Sequence, residues 1–493
     1  MKKMSSWLQK QVNERPDHPA FYWQDEAWTF AEVAQEVKQW TALFSLKIPN
    51  KEKRVALFSR NSKEMYFSIL ALWELGKELV LLNTHLSLQE LHYQLTDSKV
   101  KLVVVSTESL PFFTELDQLT LIEMIEPEGT EAVVETEIDS IYQLKATASI
   151  MYTSGTTGNP KGVVQCFSNH LASAMATQEN MNITDEDCWL CPVPLFHISG
   201  LSIIIRQLVL GCSFRLYHKF DAKIVTNDLA EGRGTVISVV AIMLQELLEN
   251  YPKKGYSSAF KAMLLGGGPI SPKALEKCES YGIPVIQSYG MTETCSQVVA
   301  LSFKDAGNKI GSAGKPLMGM AIKIVDEQEK RVAPNEVGEI LLKGKNVVRA
   351  YLNGEQWQTV KWTVDGWFKT GDMGYLDEEG YLYLVSRLSE LIISGGENIY
   401  PTEIEHVIQE FPGVKEVAVV GEADAKWGAV PVAYIVGEST ITTERINTFA
   451  KHYLAKYKLP KRIYLCHSLP KTASGKLAKH RLTTREREAF LSK

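Results

Sequence analysis

The sequence has no long apolar run. A membrane-spanning helix needs about 18 consecutive apolar residues, and the best candidate, LSIIIRQLVLG from Leu201, is shorter and includes Arg206. The opening segment MKKMSSWLQKQVNERP starts with a lysine pair but lacks the apolar stretch of a secretory signal. We therefore expect a cytoplasmic protein without membrane insertion.

Cysteine is also scarce, with 7 in 493 residues. That number is too small for a disulfide framework in a chain of this length. Cys188 and Cys191 have the C-x-x-C spacing of redox and zinc motifs, but the sequence lacks the second pair that a zinc site needs. We interpret the segment DCWLCPVPLFH as a strand that enters a loop, with a redox or metal role as the weaker alternative.

Positive charge is not in excess. The net charge is −5, which gives no electrostatic reason to expect a nucleic-acid partner. A hydrophobic fraction of 45% and a charged fraction of 23% are those of an ordinary globular protein. The length suggests about two to four domains, and no internal repeat is evident.

Most of the chain alternates short apolar runs with helical patterns. RVALFS, VKLVVVS and TVISVV are typical of buried strands, and segments such as SKEMYFSILALWELG are typical of the helices between them. This alternation predicts an α/β domain of mainly parallel sheets covered by helices. Ligands bind where the strands of such sheets end, and several glycine-rich runs lie at those places.

The pattern changes after about residue 321. Apolar and polar residues then alternate as they do in antiparallel strands, and an α+β pattern begins beyond Arg387. We predict a large N-terminal domain that includes a small antiparallel β-subdomain, and a small C-terminal α+β domain. The predicted division is 1–386 for the first, 387–390 for the connection and 391–493 for the second.

The run TSGTTGNPKG, which starts at Thr153, is the strongest local signal. Consecutive Gly, Ser and Thr residues turn backbone N–H groups inward, their hydroxyls add donors, and such a nest binds anions. Lys161 adds a point charge. The spacing differs from that of the common phosphate loop G-x-x-x-x-G-K-[ST]. We predict a phosphate site here, and a plain polar surface loop is the weaker alternative.

The segment QSYGMTETCSQ follows an apolar strand. Glu293 comes directly after Thr292 in a turn that contains glycine, and Mg²⁺ beside phosphates is usually held by few carboxylates. Tyr289 offers a flat face for a nucleobase, although ordinary core packing is its alternative role. The segment therefore predicts the metal and base side of a nucleotide site.

Later turns add charged residues that suit a nucleotide. Asp372, in KTGD, suits ribose hydroxyls, as acidic residues do in dinucleotide folds, and Arg387 follows it. Gly395 and Gly396 precede a predicted helix, and Lys476 lies in a Gly/Ser turn near the C-terminus. A terminal lysine is usually only solvated, and the constrained turn is what distinguishes Lys476.

Together these motifs resemble those of the adenylate-forming superfamily of acyl- and aryl-CoA ligases, luciferases and peptide-synthetase adenylation domains. YTSGTTGNPKG, YGMTET, KTGD, SGGENIYPTEIE and PKTASGKL occur in the order found in that superfamily and span most of the chain. The wording of PLFHISGLS, YGMTETCSQ and LAKYKLPK looks most like that of the o-succinylbenzoate–CoA ligases of menaquinone biosynthesis.

The resemblance implies a ligase that works in two half-reactions. A carboxylate attacks the α-phosphate of ATP and gives an acyl-adenylate and pyrophosphate, and the thiolate of coenzyme A then displaces AMP. The implied partners are small molecules, namely ATP, 2-succinylbenzoate and coenzyme A, with Mg²⁺ as cofactor. The sequence leaves the oligomeric state open, a homodimer included.

The resemblance also assigns residues to ATP. Lys161 and the loop before it hold the β- and γ-phosphates, and Thr292 contacts the α-phosphate. Glu293 binds Mg²⁺, and Lys476 reaches the reacting carboxylate and the α-phosphate. Of these, Lys476, Thr292 and Glu293 are the implied catalytic residues. The full set expected at ATP is Thr153, Ser154, Gly155, Thr156, Thr157, Lys161, Gly266, Gly267, Gly268, Gln287, Ser288, Tyr289, Gly290, Met291, Thr292, Asp372, Arg387 and Lys476.

The small C-terminal domain is expected to be mobile. Members of the superfamily rotate it between the two steps about a pivot two residues after the arginine, which is Ser389 here. Lys476 then leaves, and the loop with Gly395 and Gly396 lines the coenzyme A channel. The pivot is often Asp or Lys, so Ser389 departs from the pattern, but a polar loop residue still absorbs such a rotation.

The acyl substrate is expected near His197, Arg206, Thr294 and Ser296. His197 is a family position near the acyl pocket, with a core histidine as the alternative. Arg206 lies in an apolar helix, and a buried arginine needs an anion. That anion is either the second carboxylate of o-succinylbenzoate or a protein Asp or Glu. Thr294, Ser296 and Gln297 are candidates to bond the keto group or the ring carboxylate.

Three alternatives remain at this stage. The first is another aryl- or fatty-acyl-CoA ligase. The second is an enzyme that transfers its acyl group to a carrier protein, and the third is a nucleotide-binding protein without catalysis. The absence of a fused carrier domain weakens the second. The presence of Glu293, Asp372, Arg387 and Lys476 weakens the third.

Overall fold

A computed structural model describes residues 3–113, 119–127, 141–153, 160–267, 272–354, 360–394, 397–471 and 477–491. The α-helices in these ranges are α1 (Trp7–Glu14), α2 (Phe30–Lys47), α3 (Lys63–Glu74), α4 (Leu88–Ser98), α5 (Phe167–Met181), α6 (Ile198–Leu210), α7 (Ala222–Ala230), α8 (Ala241–Glu249), α9 (Pro272–Ser280), α10 (Pro401–Gln409) and α11 (Thr443–Ala450). None of these described helices has the length and apolar composition needed to cross a membrane.

The strands of the N-terminal part are β1 (Lys3–Ser5), β2 (Pro19–Trp23), β3 (Glu26–Thr29), β4 (Arg54–Phe58), β5 (Glu78–Leu81), β6 (Leu102–Val105), β7 (Thr120–Glu123), β8 (Ile141–Gln143), β9 (Thr147–Thr153), β10 (Lys161–Cys166), β11 (Cys188–Cys191), β12 (Ser213–Leu216), β13 (Val236–Val239), β14 (Ala262–Leu265), β15 (Val285–Met291), β16 (Ser296–Ala300) and β17 (Lys315–Pro316).

The later strands are β18 (Met320–Val325), β19 (Gly338–Gly344), β20 (Phe368–Leu376), β21 (Leu382–Arg387), β22 (Ile392–Ser394), β23 (Glu397–Ile399), β24 (Val414–Asp424), β25 (Gly428–Gly437) and β26 (Arg462–Cys466). Short 3₁₀ turns occur at Thr107–Phe113, Thr292–Thr294, Leu388–Glu390, Lys456–Lys458, Lys479–Thr483 and Arg485–Ala489.

Two large sheets form the N-terminal part. The first has the strand order β10-β9-β5-β4-β6-β7, and the second has the order β17-β16-β15-β14-β13-β11-β12-β2-β3. Pairing is parallel from β9 to β7 in the first sheet and from β15 to β2 in the second. It is antiparallel at the edges. These are the mainly parallel sheets that the apolar runs predict.

The apolar strands lie between layers of helices. All four residues of β6 and of β13 are buried, as expected for strands covered on both faces. Several helices begin at a side-chain cap. For example, Thr29 and Glu32 form a capping box at the start of α2. The core is anchored by large side chains, and Trp7, Trp40 and Trp73 are all 2% exposed or less.

Two smaller sheets follow. Strands β18 to β21 form an antiparallel sheet in sequence order, and β22 to β26 form a five-stranded sheet with α10 and α11. The second of these sheets has its own apolar clusters, which include Ile399, Ile404 and Ile446. The predicted fold class is therefore confirmed, whereas the division at residues 387–390 stays a prediction.

The parallel sheets bring three predicted motifs to strand ends. β9 ends at Thr153, β14 ends just before Gly266, and β15 ends at Met291. The carboxyl ends of parallel strands are where open α/β sheets bind ligands.

Candidate active site

Lys161, Glu293 and Tyr351 form one cluster. Tyr351 donates a hydrogen bond from its hydroxyl to Oε1 of Glu293 at 2.8 Å, and Nζ of Lys161 lies 5.7 Å from the centre of the Tyr351 ring. Burial lowers the pKa of Lys161, Lys361 lowers it further, and Glu293 opposes both. The cluster therefore places a cation and an oriented carboxylate at the end of the phosphate-loop hairpin.

A one-turn 3₁₀ segment, Thr292–Thr294, carries the predicted catalytic pair. Two bonds to its backbone carbonyls fix it: Gln165 donates from Nε2 to the Thr292 carbonyl at 2.7 Å, and the N–H of Val348 donates to the Glu293 carbonyl at 2.9 Å. Thr294 is buried, and its hydroxyl accepts from the N–H of Met291 at 2.9 Å. Thr294 thus stabilises the turn itself, and its predicted contact with the acyl group stays a prediction.

Several residues expected at ATP, Gly266 and Gly267 of the glycine turn implied for the adenine among them, lie at the ends of β14 and β15. Ser288 donates from its hydroxyl to the Leu265 carbonyl at 2.9 Å, and a Cβ on Gly266 would lie 3.3 Å from that hydroxyl oxygen. Gly267 has φ +90°, which favours glycine. A Cβ on Gly290 would lie 2.2 Å from the Ser296 carbonyl oxygen, so glycine is required at that position. Gln287 is buried beside this group.

A second acidic group lies between Tyr289 and Arg387. The Tyr289 hydroxyl donates to Oδ2 of Asp372 at 2.7 Å, and Nε of Arg387 lies 3.1 Å from Oδ1. Asp372 and Arg387 are register partners on β20 and β21. Asp372 raises the pKa of Arg387, while burial, and then Asp372, raise that of Tyr289. The carboxylate is therefore held on both oxygens in a fixed orientation, and its ribose role stays a prediction.

Arg206 is 1% exposed, yet its described partners are neutral. Its Nη2 donates to the Ser296 hydroxyl at 2.9 Å and to Oε1 of Gln297 at 2.8 Å. The guanidinium lies 4.5 Å from the centre of the Trp189 ring. Burial lowers the pKa of Arg206 to about 9. Within the residues that the structure describes, no Asp or Glu forms an ion pair with it.

Ser296 has an unusual backbone for a residue other than glycine. Its φ is +110°, and Cys295 before it has φ +53°. Such conformations cost roughly 1–3 kcal/mol and persist where the surroundings impose them. Here they turn the Ser296 hydroxyl toward Arg206. His197 forms the N-cap position of α6, half-buried, with its ring 4.8 Å from that of Phe196.

The predicted pivot, Ser389, lies between the ion pair of Arg387 with Asp372 and that of Glu390 with Lys479. Ser389 occupies the short 3₁₀ segment Leu388–Glu390. On its C-terminal side, Nζ of Lys479 lies 2.9 Å from Glu390 and 2.8 Å from Glu405. Burial alone would lower the pKa of Lys479, but Glu405 and Glu390 outweigh it and raise that pKa.

Several predicted residues lie outside the described ranges. They are Ser154, Gly155, Thr156, Thr157, Gly268, Gly395, Gly396 and Lys476. Their roles stay predictions.

Sequence reasoning missed four residues that the structure places at this site. They are Gln165, Tyr351, Trp189 and Lys479. Lys479 was detectable as the next lysine after Lys476. No local sequence pattern marks Gln165, Tyr351 or Trp189, because each contacts a residue far away in the sequence.

The Glu293 carboxylate fits a Mg²⁺ ion. Tyr351 occupies one of its oxygens and leaves the other as a ligand. Among the described residues there is no group of three His, Cys, Asp or Glu side chains that could hold a metal. Mg²⁺ at nucleotides takes one or two carboxylates, phosphate oxygens and water, so a single carboxylate at this position suits it.

Comparison with known proteins defines the class. The sequence model of the AMP-binding enzyme family matches residues 8–352, and that of the AMP-binding enzyme C-terminal domain matches residues 403–476. The chain belongs to the AMP-binding enzyme family.

The similarity extends to particular ligases. The chain is 65% identical over 486 residues to 2-succinylbenzoate–CoA ligase of Enterococcus faecalis, covering 99% of both chains. It is 40% identical to o-succinylbenzoate CoA synthetase (MenE) of Bacillus subtilis in complex with the acyl-adenylate intermediate OSB-AMP, with a TM-score of 0.92 over 98% of this chain and 99% of that one.

Two further structures of the Bacillus subtilis enzyme differ in their likeness to this chain. The complex with ATP and magnesium ion has a TM-score of 0.92 over 98% of this chain and 100% of that one. The double mutant bound with the product analogue OSB-NCoA has a TM-score of 0.75, with 98% of each chain covered. Sequence identity to this chain is 40% in both cases. The lower TM-score therefore reflects a different three-dimensional arrangement of the Bacillus subtilis chain in the second structure.

Proposed function

We propose that the protein is an AMP-forming 2-succinylbenzoate–CoA ligase of menaquinone biosynthesis. It uses ATP to activate 2-succinylbenzoate as an acyl-adenylate and transfers the acyl group to coenzyme A, which yields 2-succinylbenzoyl-CoA, AMP and pyrophosphate. The observation that carries the proposal is the 65% identity to a ligase of that name over 99% of the chain. The geometry of the site supplies the chemical means.

The first half-reaction brings two anions together. A carboxylate must approach the α-phosphate, so the site has to neutralise charge and hold the attack in line. We assign Lys161 to the departing phosphates and Thr292 to the α-phosphate. Bound Mg²⁺ would supply further positive charge at the phosphates, with Glu293 as its protein ligand. Tyr351 supports this assignment because it fixes the Glu293 carboxylate.

The nucleoside end of the proposed site is held by hydrogen bonds and an ion pair within the protein. Asp372 is held by Tyr289 and Arg387, and both of its oxygens keep lone pairs for ribose hydroxyls. Gly266 and Gly267 have no side chain that would block a planar base. We therefore keep the predicted assignment of these residues to the nucleoside.

The acyl end provides a charge for the second carboxylate of the substrate. Arg206 is buried, protonated at neutral pH and bonded to neutral oxygens. A buried charge without a counter-ion is costly, and a substrate carboxylate would supply that counter-ion. We propose that Arg206 and Ser296 bind the carboxylate that does not react, and that His197 lines the same pocket.

The C-terminal segment is proposed to change its orientation about Ser389 between the half-reactions. In support, the chain is more similar to the acyl-adenylate complex, with a TM-score of 0.92, than to the product-analogue complex, with 0.75. We infer that the structure represents the adenylate-forming arrangement. Lys476 is proposed to act there, and the loop with Gly395 and Gly396 to guide coenzyme A in the other arrangement.

A cytoplasmic location and a homodimer stay predictions. The location is supported by the co-substrates, because ATP and coenzyme A are cytoplasmic metabolites. Sedimentation of the purified protein measures its mass in solution and so tests the homodimer.

The direct test is an assay with a panel of acids. Purified protein, Mg²⁺, ATP and coenzyme A are incubated with 2-succinylbenzoate, benzoate analogues and fatty acids, and the products are identified by mass. We expect 2-succinylbenzoyl-CoA and AMP. Turnover of the other acids without turnover of 2-succinylbenzoate would instead support a different aryl- or fatty-acyl-CoA ligase.

A further inference from the structure

A chain of three buried polar side chains ends at the catalytic turn. Nε2 of His170 lies 2.9 Å from the Ser149 hydroxyl, that hydroxyl donates to Oε1 of Gln165 at 2.6 Å, and Nε2 of Gln165 donates to the Thr292 carbonyl at 2.7 Å. All three side chains are 1% exposed or less. Gln165 fixes the turn, but none of the three side chains has a role in the reaction proposed above.

The direction of every hydrogen bond in this chain follows from its end. A carbonyl oxygen only accepts, so Gln165 must present its NH₂ group to Thr292 and its oxygen to Ser149. Ser149 therefore donates to Gln165 and accepts from His170. It follows that His170 carries its proton on Nε2, while Nδ1 is bare, buried and without a described hydrogen-bond partner. Burial lowers the pKa of His170 to about 3, which keeps this neutral form.

The chain connects two parts of the proposed ATP site. Ser149 lies on β9 and Gln165 lies on β10, and they are register partners in the hairpin whose connection is the phosphate loop. Thr292 lies 127 residues further along, at the end of β15 in the other large sheet. Gln165 thus fixes the distance between the phosphate-loop hairpin and the turn with Thr292 and Glu293.

We propose that Gln165 is a positioning residue for acyl-adenylate formation, with Ser149 and His170 fixing its orientation. The inference rests on the proposed function, in which Thr292 contacts the α-phosphate and Glu293 binds Mg²⁺. Donation to the Thr292 carbonyl holds the turn at the separation from Lys161 that in-line attack requires. Small displacements of such groups cost large factors in rate.

Gln165→Glu tests the central bond, because it replaces the NH₂ group by an oxygen of nearly the same size. An ionised glutamate still accepts from Ser149 but cannot donate to Thr292, whereas a protonated one can, so Gln165→Met, which cannot donate in any state, is measured beside it. Acyl-adenylate formation is measured by ATP–pyrophosphate exchange, and thioester formation is measured from supplied acyl-adenylate and coenzyme A. We expect kcat of exchange to fall by about tenfold or more, with thioester formation changed less than about twofold.

Gln11→Glu is the matched control. Gln11 is also fully buried, and its Nε2 donates to the Leu208 carbonyl at 2.9 Å, in a contact between α1 and α6. The same substitution there introduces the same buried carboxylate against a carbonyl. We expect a lower melting temperature but an unchanged ratio of the two half-reaction rates.

Two more variants cover a failure to fold. Gln165→Met removes the bond without adding charge, and Ser149→Ala releases the amide so that it no longer has one fixed orientation. Both should reduce exchange selectively, Ser149→Ala to a smaller extent. If the Gln165 variants that fold lower both half-reactions by the same factor, or leave exchange unchanged, the positioning role is wrong.

Thr292→Ala and Glu293→Gln distinguish a failure of the positioning role of Gln165 from a failure of the proposed roles of Thr292 and Glu293. If both retain full exchange activity, the proposed roles of Thr292 and Glu293 fail, and the role of Gln165 fails with them. If both lose exchange while Gln165→Glu keeps it, the assignment stands and the positioning inference alone is overturned.

Discussion

At the scale of single residues, the site consists of charged side chains whose orientation is fixed by neighbouring side chains. Asp372 is held by two partners, Glu293 by one, and Arg206 by neutral oxygens and an indole face. The sequence predicted Asp372, Glu293 and Arg206 but none of the groups that orient Glu293 or stack on Arg206. Those contacts join residues far apart in the chain. Tyr351, for example, lies 58 residues from Glu293.

Replacing Arg206 by Met should weaken binding of the acid selectively. A hydrogen bond to a charged group contributes about 1.5–3 kcal/mol, so we expect KM for 2-succinylbenzoate to rise about 10- to 100-fold while KM for ATP changes little. Arg215→Met is the control, because Arg215 also stacks on an aromatic ring, that of Tyr22. Equal increases in both KM values would rule out the pairing with the substrate carboxylate.

Replacing Tyr289 by Phe should affect ATP. The hydroxyl that holds Asp372 is lost, and one such bond contributes about 1 kcal/mol, so KM for ATP should rise about 3- to 10-fold. Tyr217→Phe removes a bond of the same kind, to Asp228 at 2.6 Å, outside the proposed site, and should leave KM unchanged. An unchanged KM in Tyr289→Phe would show that Asp372 needs no such support.

At the scale of helices and strands, local sequence patterns predicted more of the structure than they did for side-chain contacts. The buried strands RVALFS, VKLVVVS and TVISVV appear as β4, β6 and β13, because continuous apolar runs reflect burial on both faces. Strand order could not be predicted, since it depends on which crossovers pack. The resemblance placed the phosphate loop and Thr292 at the same ATP, but local patterns did not show that β10 contacts the turn after β15, and the buried chain from His170 to Thr292 was not visible.

The contact between α5 and β9 should make stability depend on pH through His170. The imidazole takes up a proton near its ordinary pKa of 6.5 when the chain is unfolded, but only near 3 when folded. Stability is therefore complete above about pH 6.5 and falls as the pH is lowered toward 3, by about 1.4 kcal/mol for each unit.

Urea denaturation at pH 7.5 and pH 5.5 measures this effect. His170→Gln keeps a donor for Ser149 but does not titrate, and the other histidines are common to both proteins. The loss of unfolding free energy between the two pH values should be about 1.4 kcal/mol smaller in the variant. The same loss in both proteins would mean that His170 does not titrate on unfolding.

At the scale of the whole molecule, the order of motifs along the chain predicted the class of enzyme and the architecture. Both depend on a long stretch of sequence, so they are robust to single departures such as Ser389. The arrangement of the C-terminal segment relative to the rest was not predictable, because it depends on a few contacts between residues far apart in the sequence. The ion pair between Lys273 and Glu410 is one such contact.

Lys476→Ala should separate the two half-reactions. By the proposed mechanism, acyl-adenylate formation is abolished, while transfer from supplied acyl-adenylate to coenzyme A is largely retained. Lys471→Ala, which removes an ion pair with Glu416 on the same segment, is the control and should retain both. Exchange and thioester assays measure the two steps, and survival of both in Lys476→Ala would refute its role.

The ion pairs around the proposed pivot would limit how the C-terminal segment turns in the proposed rotation. Arg387 is tied to Asp372 in the N-terminal part, and Glu390 is tied to Lys479 in the C-terminal part. Between these two fixed points lie Leu388 and Ser389. In the proposed rotation about Ser389, these two residues work as an axle, which permits twist about its own axis but little bending or translation. Because Lys479 also binds Glu405 of α10, that helix and the stretch of chain that carries Lys479 would turn with the axle as a single lever.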